Sequence, residues 1–150
     1  MTSIRTRRAD LADLDAIAPL FDAYRQFYEQ QPDLQLARTF IEARLQKHES
    51  IITLALTGDG QAVGFCQLYP SFCSVEAAPI YTLYDLFVSP PARRSGAGQA
   101  LLLAAHGLAA EAGIARLDLT TAKTNLAAQA LYESLGWVRD EIFFAYNKRV

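Results

Sequence analysis

Apolar positions along the chain change their rhythm from segment to segment, and the rhythm predicts the elements. Ile4 to Arg8 alternates weakly, as a short first strand would. Leu11, Leu14, Ile17, Phe21, Tyr24 and Tyr28 then recur at helical spacing, with Asp10 placed as N-cap and Asp13 three residues on. Pro19 falls inside that pattern and predicts a kink or break, because proline removes an internal hydrogen bond. Pro32 closes the segment. A second helix is predicted over Leu34 to Lys47, burying Leu36, Phe40, Ile41 and Leu45.

The rhythm then becomes that of strands. Ile51 to Leu56 is an apolar strand, Gly58-Asp59-Gly60 a turn, and Val63 to Tyr69 the returning arm of a hairpin. Pro70 to Ala78 reads as a loop, and Ile80 to Val88 as a long central strand. A leucine- and alanine-rich helix follows, with Leu101, Ala105, Leu108 and Ala112 on one face and Gly113 at its stop. Arg116 to Thr120 reads as a strand, Leu126 to Leu135 as a helix capped by Asn125 and ended by Gly136, and Phe143 to Lys148 as a last strand. The order β-α-α-β-β-β-α-β-α-β predicts an α/β chain with a mixed sheet and helices on both faces.

Composition narrows the class of function. The 150 residues suit one domain, 51% hydrophobic and 20% charged, with no repeat or low-complexity stretch. A net charge of −2 leaves no basic footprint for nucleic acid, and no apolar run is long enough to span a membrane. The polar start Met1-Thr2-Ser3-Ile4-Arg5 is no signal peptide, and Cys66 and Cys73 lack a CxxC spacing, so a cytoplasmic protein with reduced thiols is expected. His48 and His106 show no metal-ligand spacing, and no metal is expected.

The strongest chemical signal lies between the central strand and the helix after it. Asp85-Leu86-Phe87-Val88-Ser89-Pro90 runs into Arg93-Arg94-Ser95-Gly96-Ala97-Gly98-Gln99. Glycines at the mouth of a helix let orphan backbone amides meet an anion at the positive end of the helix dipole. Neither the GxGxxG nor the GxxxxGK[ST] pattern is present. On spacing alone, an ordinary strand-to-helix turn and a phosphate site both remain open.

The segment Leu83 to Gly98 resembles the acetyl-CoA-binding motif of the GCN5-related N-acetyltransferases, Arg/Gln-x-x-Gly-x-Gly/Ala. The block from Asn125 to Trp137 resembles the second signature of that family, an asparagine followed by A-x-x-L-Y-x-x-x-G-F, with Trp137 in place of the phenylalanine. The element order matches this fold along nearly the whole chain. The resemblance implies a central mixed, mostly antiparallel twisted sheet of six to seven strands flanked by about four helices. It implies that the amides from Arg94 to Gln99 hold the CoA pyrophosphate, with Arg93 or Arg94 adding charge. The Leu86–Phe87–Val88 edge would pair with the pantetheine arm, and an N–H near Phe87 or Val88 would act as oxyanion donor. Asn125, also a plain N-cap, would bond to the same arm. Tyr132 would protonate the departing thiolate, against the alternative of a core tyrosine.

A protonated amine must lose its proton before attack. Asp85 is the candidate acceptor and amine-binding group, with Glu76 and Glu141 behind it; a structural Asp85 is the alternative. Tyr28, Tyr81 and Tyr84 are candidates for the acceptor site, Tyr81 and Tyr84 alternatively filling a sheet face. Leu83 to Val88 and the helix Phe21 to Glu29 resemble the histone/polyamine (Hpa2-like) subgroup, although spermidine/spermine acetyltransferases typically carry an acidic residue where Tyr84 stands. The expected activity is direct acetyl transfer to the primary amine of a small molecule in a ternary complex. Acetylation of a protein lysine or N-terminus, or a silent CoA-binding module, are the alternatives. A homodimer is permitted by Phe143, Phe144 and Tyr146.

Overall fold

The computed structural model describes residues 3–150 and divides into two compact units, Met1–Leu119 and Thr120–Val150. The first holds a five-stranded sheet in the order β1-β2-β3-β4-β5. Its strands are β1 (Arg5–Arg8), β2 (Ile51–Leu56), β3 (Ala62–Cys73), β4 (Ala78–Val88) and β5 (Leu117–Asp118). Neighbours pair antiparallel except β4 with β5, which run parallel, so the mixed, mostly antiparallel sheet is as expected. Helices α1 (Leu14–Phe27), α2 (Leu34–Gln46) and α3 (Ala97–Glu111) belong to this unit, and α4 (Leu126–Ser134) to the second. Among the described residues no helix is long and apolar enough to cross a membrane.

Cross-strand partners share a face of a sheet, and the core follows. Leu54, Phe65 and Phe87 lie in one row with Ile52 and Leu56 beside them, covered by Leu14, Ile17 and Phe21 of α1 and Ile41 of α2. The opposite face lies under α3. There an added Cβ on Gly64 would meet Val88 Cγ2 at 3.3 Å and Leu101 Cδ1 at 3.4 Å.

Four expectations are corrected. Asp10 does cap, through a full capping box, but it opens a 3-10 turn (Leu11–Asp13) and α1 then runs unbroken through Pro19. Leu14, Ile17 and Ala18 are buried before the proline and Leu20 and Phe21 after it, while Pro19 itself is exposed. Anchors worth roughly 1.5–3 kcal/mol per large side chain outweigh one proline penalty of about 3 kcal/mol.

The stretch Pro70 to Ala78 is not a loop: β3 and β4 continue to Cys73 and Ala78. Pro70 pairs with Tyr81, whose N–H donates outward to the Arg116 carbonyl at 3.1 Å. Pro70 therefore occupies a position whose missing N–H would point away from β4, beyond the Ile51–Leu68 end of β2.

The third correction is the last strand. Residues 143–148 form none, and the sheet has five strands rather than six or seven. Ile142, Phe143, Phe144 and Tyr146 are largely exposed, and the second unit contains no other strand to supply a ladder. The fourth is a shorter β5 than the expected Arg116 to Thr120.

Candidate active site

Beyond β4 the chain turns twice before α3 begins. Ser89 fastens the strand end, donating to the Val63 carbonyl from its N–H at 2.8 Å and its hydroxyl at 3.1 Å. A 3-10 turn at Pro90–Ala92 follows, then Arg94 at φ 65° and Gly96 at φ 89°. Both φ values lie in the left-handed region, which glycine adopts without the clash a Cβ brings. Nothing stands within 4 Å of where a Gly96 Cβ would be, so the space above the turn is open.

The first turn of α3 carries no acidic side chain. The Ala97 N–H reaches the Ser95 hydroxyl at 3.4 Å and the Ala100 N–H returns to the Gly96 carbonyl at 2.9 Å. The N–H groups of Gly98 and Gln99 belong to the opening turn, whose donors lack intrahelical partners. Arg94 is exposed beside them, whereas Arg93 folds back: its Nε donates to the Val88 carbonyl at 3.0 Å and its guanidinium lies 5.8 Å from the Phe87 ring. Open space, unpaired donors, a nearby cation and no carboxylate fit a pyrophosphate. Of the two arginines, Arg94 is the one standing clear.

The register sorts the strand-edge candidates. The Ser89–Val63 bond means that Phe87 and Asp85, at two-residue steps, turn their backbone groups into the β3 ladder. Leu86 and Val88 turn theirs to the opposite edge, where β5 pairs only with Tyr81 and Thr82. Leu86 keeps both its backbone groups toward that edge and Val88 its N–H, the Val88 carbonyl being taken by Arg93. The Phe87 N–H lies inside the ladder, so of the two oxyanion candidates the Val88 N–H is the one that faces the open edge.

Asp85 is buried, 3% exposed, next to an irregularity in β4. Gln67 pairs with Asp85 and Leu68 with Leu83, leaving Tyr84 as the extra residue of a β-bulge. A bulge turns two successive side chains to one side, so Tyr84 joins Asp85 on the α1 face. Tyr81, two residues before Leu83, stands on the other face and is buried at 8% exposure. Tyr81 is thereby a sheet-packing residue rather than a neighbour of Asp85.

Three side chains that sequence reasoning missed build the surroundings of the carboxyl, two beside it and one behind Gln67. Gln67 Nε2 donates to Asp85 Oδ2, and Ser50 Oγ donates to Gln67 Oε1 at 2.7 Å. The Tyr24 hydroxyl donates to the Tyr84 carbonyl at 3.0 Å and also favours the Asp85 charge. One signal for Gln67 was legible: it is the lone polar side chain in the apolar run Val63 to Leu68.

Burial pushes the Asp85 carboxyl up to about 6, while the hydrogen bond from Gln67 and the nearby Tyr24 hydroxyl hold it lower than burial alone would. Burial also raises the Tyr24 phenol, and raises Tyr69 to about 12, with the Asp85 charge adding to both. No positive side chain contributes to the Asp85 shift. Aromatic rings line this corner: Tyr24 lies 5.2 Å from Tyr28 and 5.9 Å from Phe65, and Tyr84 lies 5.6 Å from Tyr69. Tyr28 and Tyr84 are exposed. The weaker acidic candidates are occupied at the surface, Glu76 by Arg116 at 3.0 Å and Glu141 by Arg139 at 2.8 Å.

In the second unit Asn125 caps α4, its Oδ1 accepting from the Ala128 N–H at 3.2 Å. The Tyr132 ring lies 6.0 Å from that of Trp137, joining two residues of the second signature. Among the described residues no His, Cys, Asp and Glu side chains group as metal ligands.

The acetyltransferase (GNAT) family matches residues 14–137. The uncharacterized N-acetyltransferase YhfO of Bacillus subtilis (strain 168) is 49% identical over 140 residues, 93% of each chain. The L-ornithine N5-acetyltransferase NATA1 of Arabidopsis thaliana is 31% identical over 78 residues, 52% of this chain and 34% of that one. A crystal structure of a probable acetyltransferase superposes with a TM-score of 0.91 at 39% identity, covering 97% of both chains. The chain belongs to the GNAT family of acetyltransferases, enzymes whose acetyl donor is acetyl-CoA.

Proposed function

We propose that the protein transfers an acetyl group directly to the primary amine of a small cationic acceptor, with Asp85 receiving the amine proton. One observation carries the reading: a buried carboxyl with no positive partner stands among exposed tyrosines. A buried carboxylate is stabilised by an opposite charge, and an ammonium group is the charge that acetyl transfer brings to it. Neighbouring aromatic faces favour the same cation. The ornithine acetyltransferase relative acts on an acceptor of this chemistry.

Acetyl-CoA, when bound, supplies an acetyl thioester. The amides of Gly98 and Gln99, with Arg94, hold its pyrophosphate, and Leu86 offers its backbone groups to the pantetheine arm. The Val88 N–H serves as the donor to the acetyl carbonyl oxygen. Asp85 takes the ammonium proton, the neutral amine nitrogen forms the new N–C bond and the C–S bond breaks. Tyr132 gives its proton to the sulfur, and the second proton lost from nitrogen as the amide forms restores the phenol. The part of Tyr132 rests on the signature that contains it, as does that of Asn125 toward the pantetheine arm.

The family match from 14 to 137 spans both units and supports one catalytic domain. The Leu83–Val88 phrase supports the Hpa2-like subgroup. The exposed side chains of Phe143, Phe144 and Tyr146 support a homodimer, and the free thiols Cys66 and Cys73 support a cytoplasmic setting.

Thiol release from acetyl-CoA tests the reading against simple amines, polyamines, amino acids including L-ornithine, and a histone-tail peptide. Turnover with small cationic amines is expected. Turnover with the peptide alone makes the protein a protein acetyltransferase, and no turnover with any of them makes it a CoA-binding module.

A further inference from the structure

Ser50, just ahead of β2, is linked to Gln67 of β3 and Asp85 of β4 in a hydrogen-bonded row of buried polar side chains, 7%, 0% and 3% exposed. The row continues the apolar face of Ile52, Leu54, Phe65 and Phe87, where stability alone would favour more hydrocarbon. Its hydrogen bonds run one way, from the Ser50 hydroxyl to Gln67 Oε1 and from Gln67 Nε2 to Asp85 Oδ2. The acceptor-only carboxylate sets the amide with its nitrogen forward, since a flipped amide would aim oxygen at oxygen, and the Ser50 hydroxyl holds the amide oxygen behind it. From α1, Tyr24 fastens the bulge carbonyl of Tyr84 beside the same carboxyl.

We infer that Gln67, held from behind by Ser50, and Tyr24 are positioning residues that keep Asp85 ionised and aimed so that it can take the proton of the incoming amine. The inference rests on the proposed acetyl transfer. Each of the two neighbours favours the charged carboxyl. The titratable groups around Asp85 are Tyr24 on α1, Tyr69 on β3 and Tyr84 beside it on β4, with Cys66 of β3 on the opposite face of the sheet. Burial raises Tyr24, Cys66 and Tyr69, so these stay neutral through the range in which Asp85 titrates. Asp85 is then the group whose proton is gained and lost near neutrality.

The test uses two readouts on the full chain. Carbon-13 NMR of labelled aspartate, with Asp85→Asn assigning the signal, follows the Asp85 midpoint without any acceptor. The acid limb of kcat/KM for acetyl transfer to the best amine of the screen follows the same group in turnover. Gln67→Leu and Tyr24→Phe are each expected to raise both midpoints by about one pH unit, and Ser50→Ala by less. Ser50→Thr, which keeps the hydroxyl, should restore them. A residue that only packs would lower activity evenly across pH.

Unmoved NMR midpoints in Gln67→Leu and Tyr24→Phe overturn the inference, while loss of the acid limb in Asp85→Asn would still uphold Asp85 as base. Midpoints that move in the NMR titration but not in the rate profile overturn both. If Gln67→Leu loses its cooperative thermal transition, Tyr24→Phe and Ser50→Ala decide.

Discussion

The Tyr24 hydroxyl donates to the Tyr84 carbonyl, 3.0 Å away, at the residue of β4 that β3 leaves unpaired. A bulge frees one carbonyl from its ladder, and a phenol from the covering helix satisfies it. The same extra residue brings Tyr84 and Asp85 to one face and sends Leu83 and Tyr81 to the other. The acidic corner of the site is thus a consequence of strand geometry and of one helix–strand hydrogen bond.

Asp85→Asn should raise stability at high pH and lower catalysis. The folded carboxyl titrates near 6 against an ordinary 3.8, so the folded chain binds its proton more tightly than the unfolded chain. That proton stabilises the fold fully below about 4, and the contribution is lost as pH rises through 6. The difference is worth about 3 kcal/mol at pH 8. Thermal melts should show the Asp85→Asn variant gaining over wild type at pH 8 and matching it near pH 4, with the KM for a cationic acceptor raised. Parallel melting curves at the two pH values would contradict the burial of a titrating carboxyl.

Gly96→Ala should separate backbone strain from ligand contact. At φ 89° an alanine costs on the order of 1–2 kcal/mol although no atom obstructs its Cβ. Gly96→Glu adds a negative charge at the mouth of α3 and should abolish acetyl-CoA binding, as should Gly98→Glu. Unchanged affinity in calorimetric titration would remove the pyrophosphate from this turn.

Tyr132→Phe should cut turnover by roughly 10²-fold or more while acetyl-CoA affinity stays nearly intact, as expected for a lost general acid. Pre-steady-state kinetics with chemistry limiting give the measurement. Wild-type turnover there assigns Tyr132 to packing against Trp137.

Gly64→Ala should destabilise the sheet where β3 packs against β4 and α3. Its Cβ would sit 2.8 Å from the Phe87 carbonyl oxygen, with Val88 and Leu101 close behind. Overpacking of this kind costs about 1–3 kcal/mol, several degrees in Tm for a chain of this size. Gly58→Ala, whose Cβ meets nothing within 4 Å, is the control and should melt like wild type.

Phe143→Ser with Phe144→Ser should shift a homodimer toward monomer in sedimentation velocity. A wild type that sediments as a monomer at micromolar concentration would remove the dimer from the reading.

Much of this protein was legible from residues close together in the chain. Helical and strand periodicity, the Asp10 and Asn125 caps, the Gly58–Gly60 turn and the glycine mouth of α3 all depend on neighbours within a few positions. Both signatures are local in the same sense, and they were enough for the family. The tertiary structure decided whatever depends on residues brought together from afar. Packing on both sides carried α1 through Pro19, and a strand position beyond the end of β2 admitted Pro70. Residues 143–148 had strand-like side chains but no partner strand, and a ladder requires two. In an unbroken strand Tyr81 and Asp85 would share one face; an unpaired Tyr84 separated them, and nothing in a single strand announces which residue its neighbour will skip. The Asp85 environment comes from Gln67, 18 residues away, and the bulge is held by Tyr24, 60 residues from Tyr84. Sequence alone named the carboxyl, and only the fold could give it a buried, hydrogen-bonded charge.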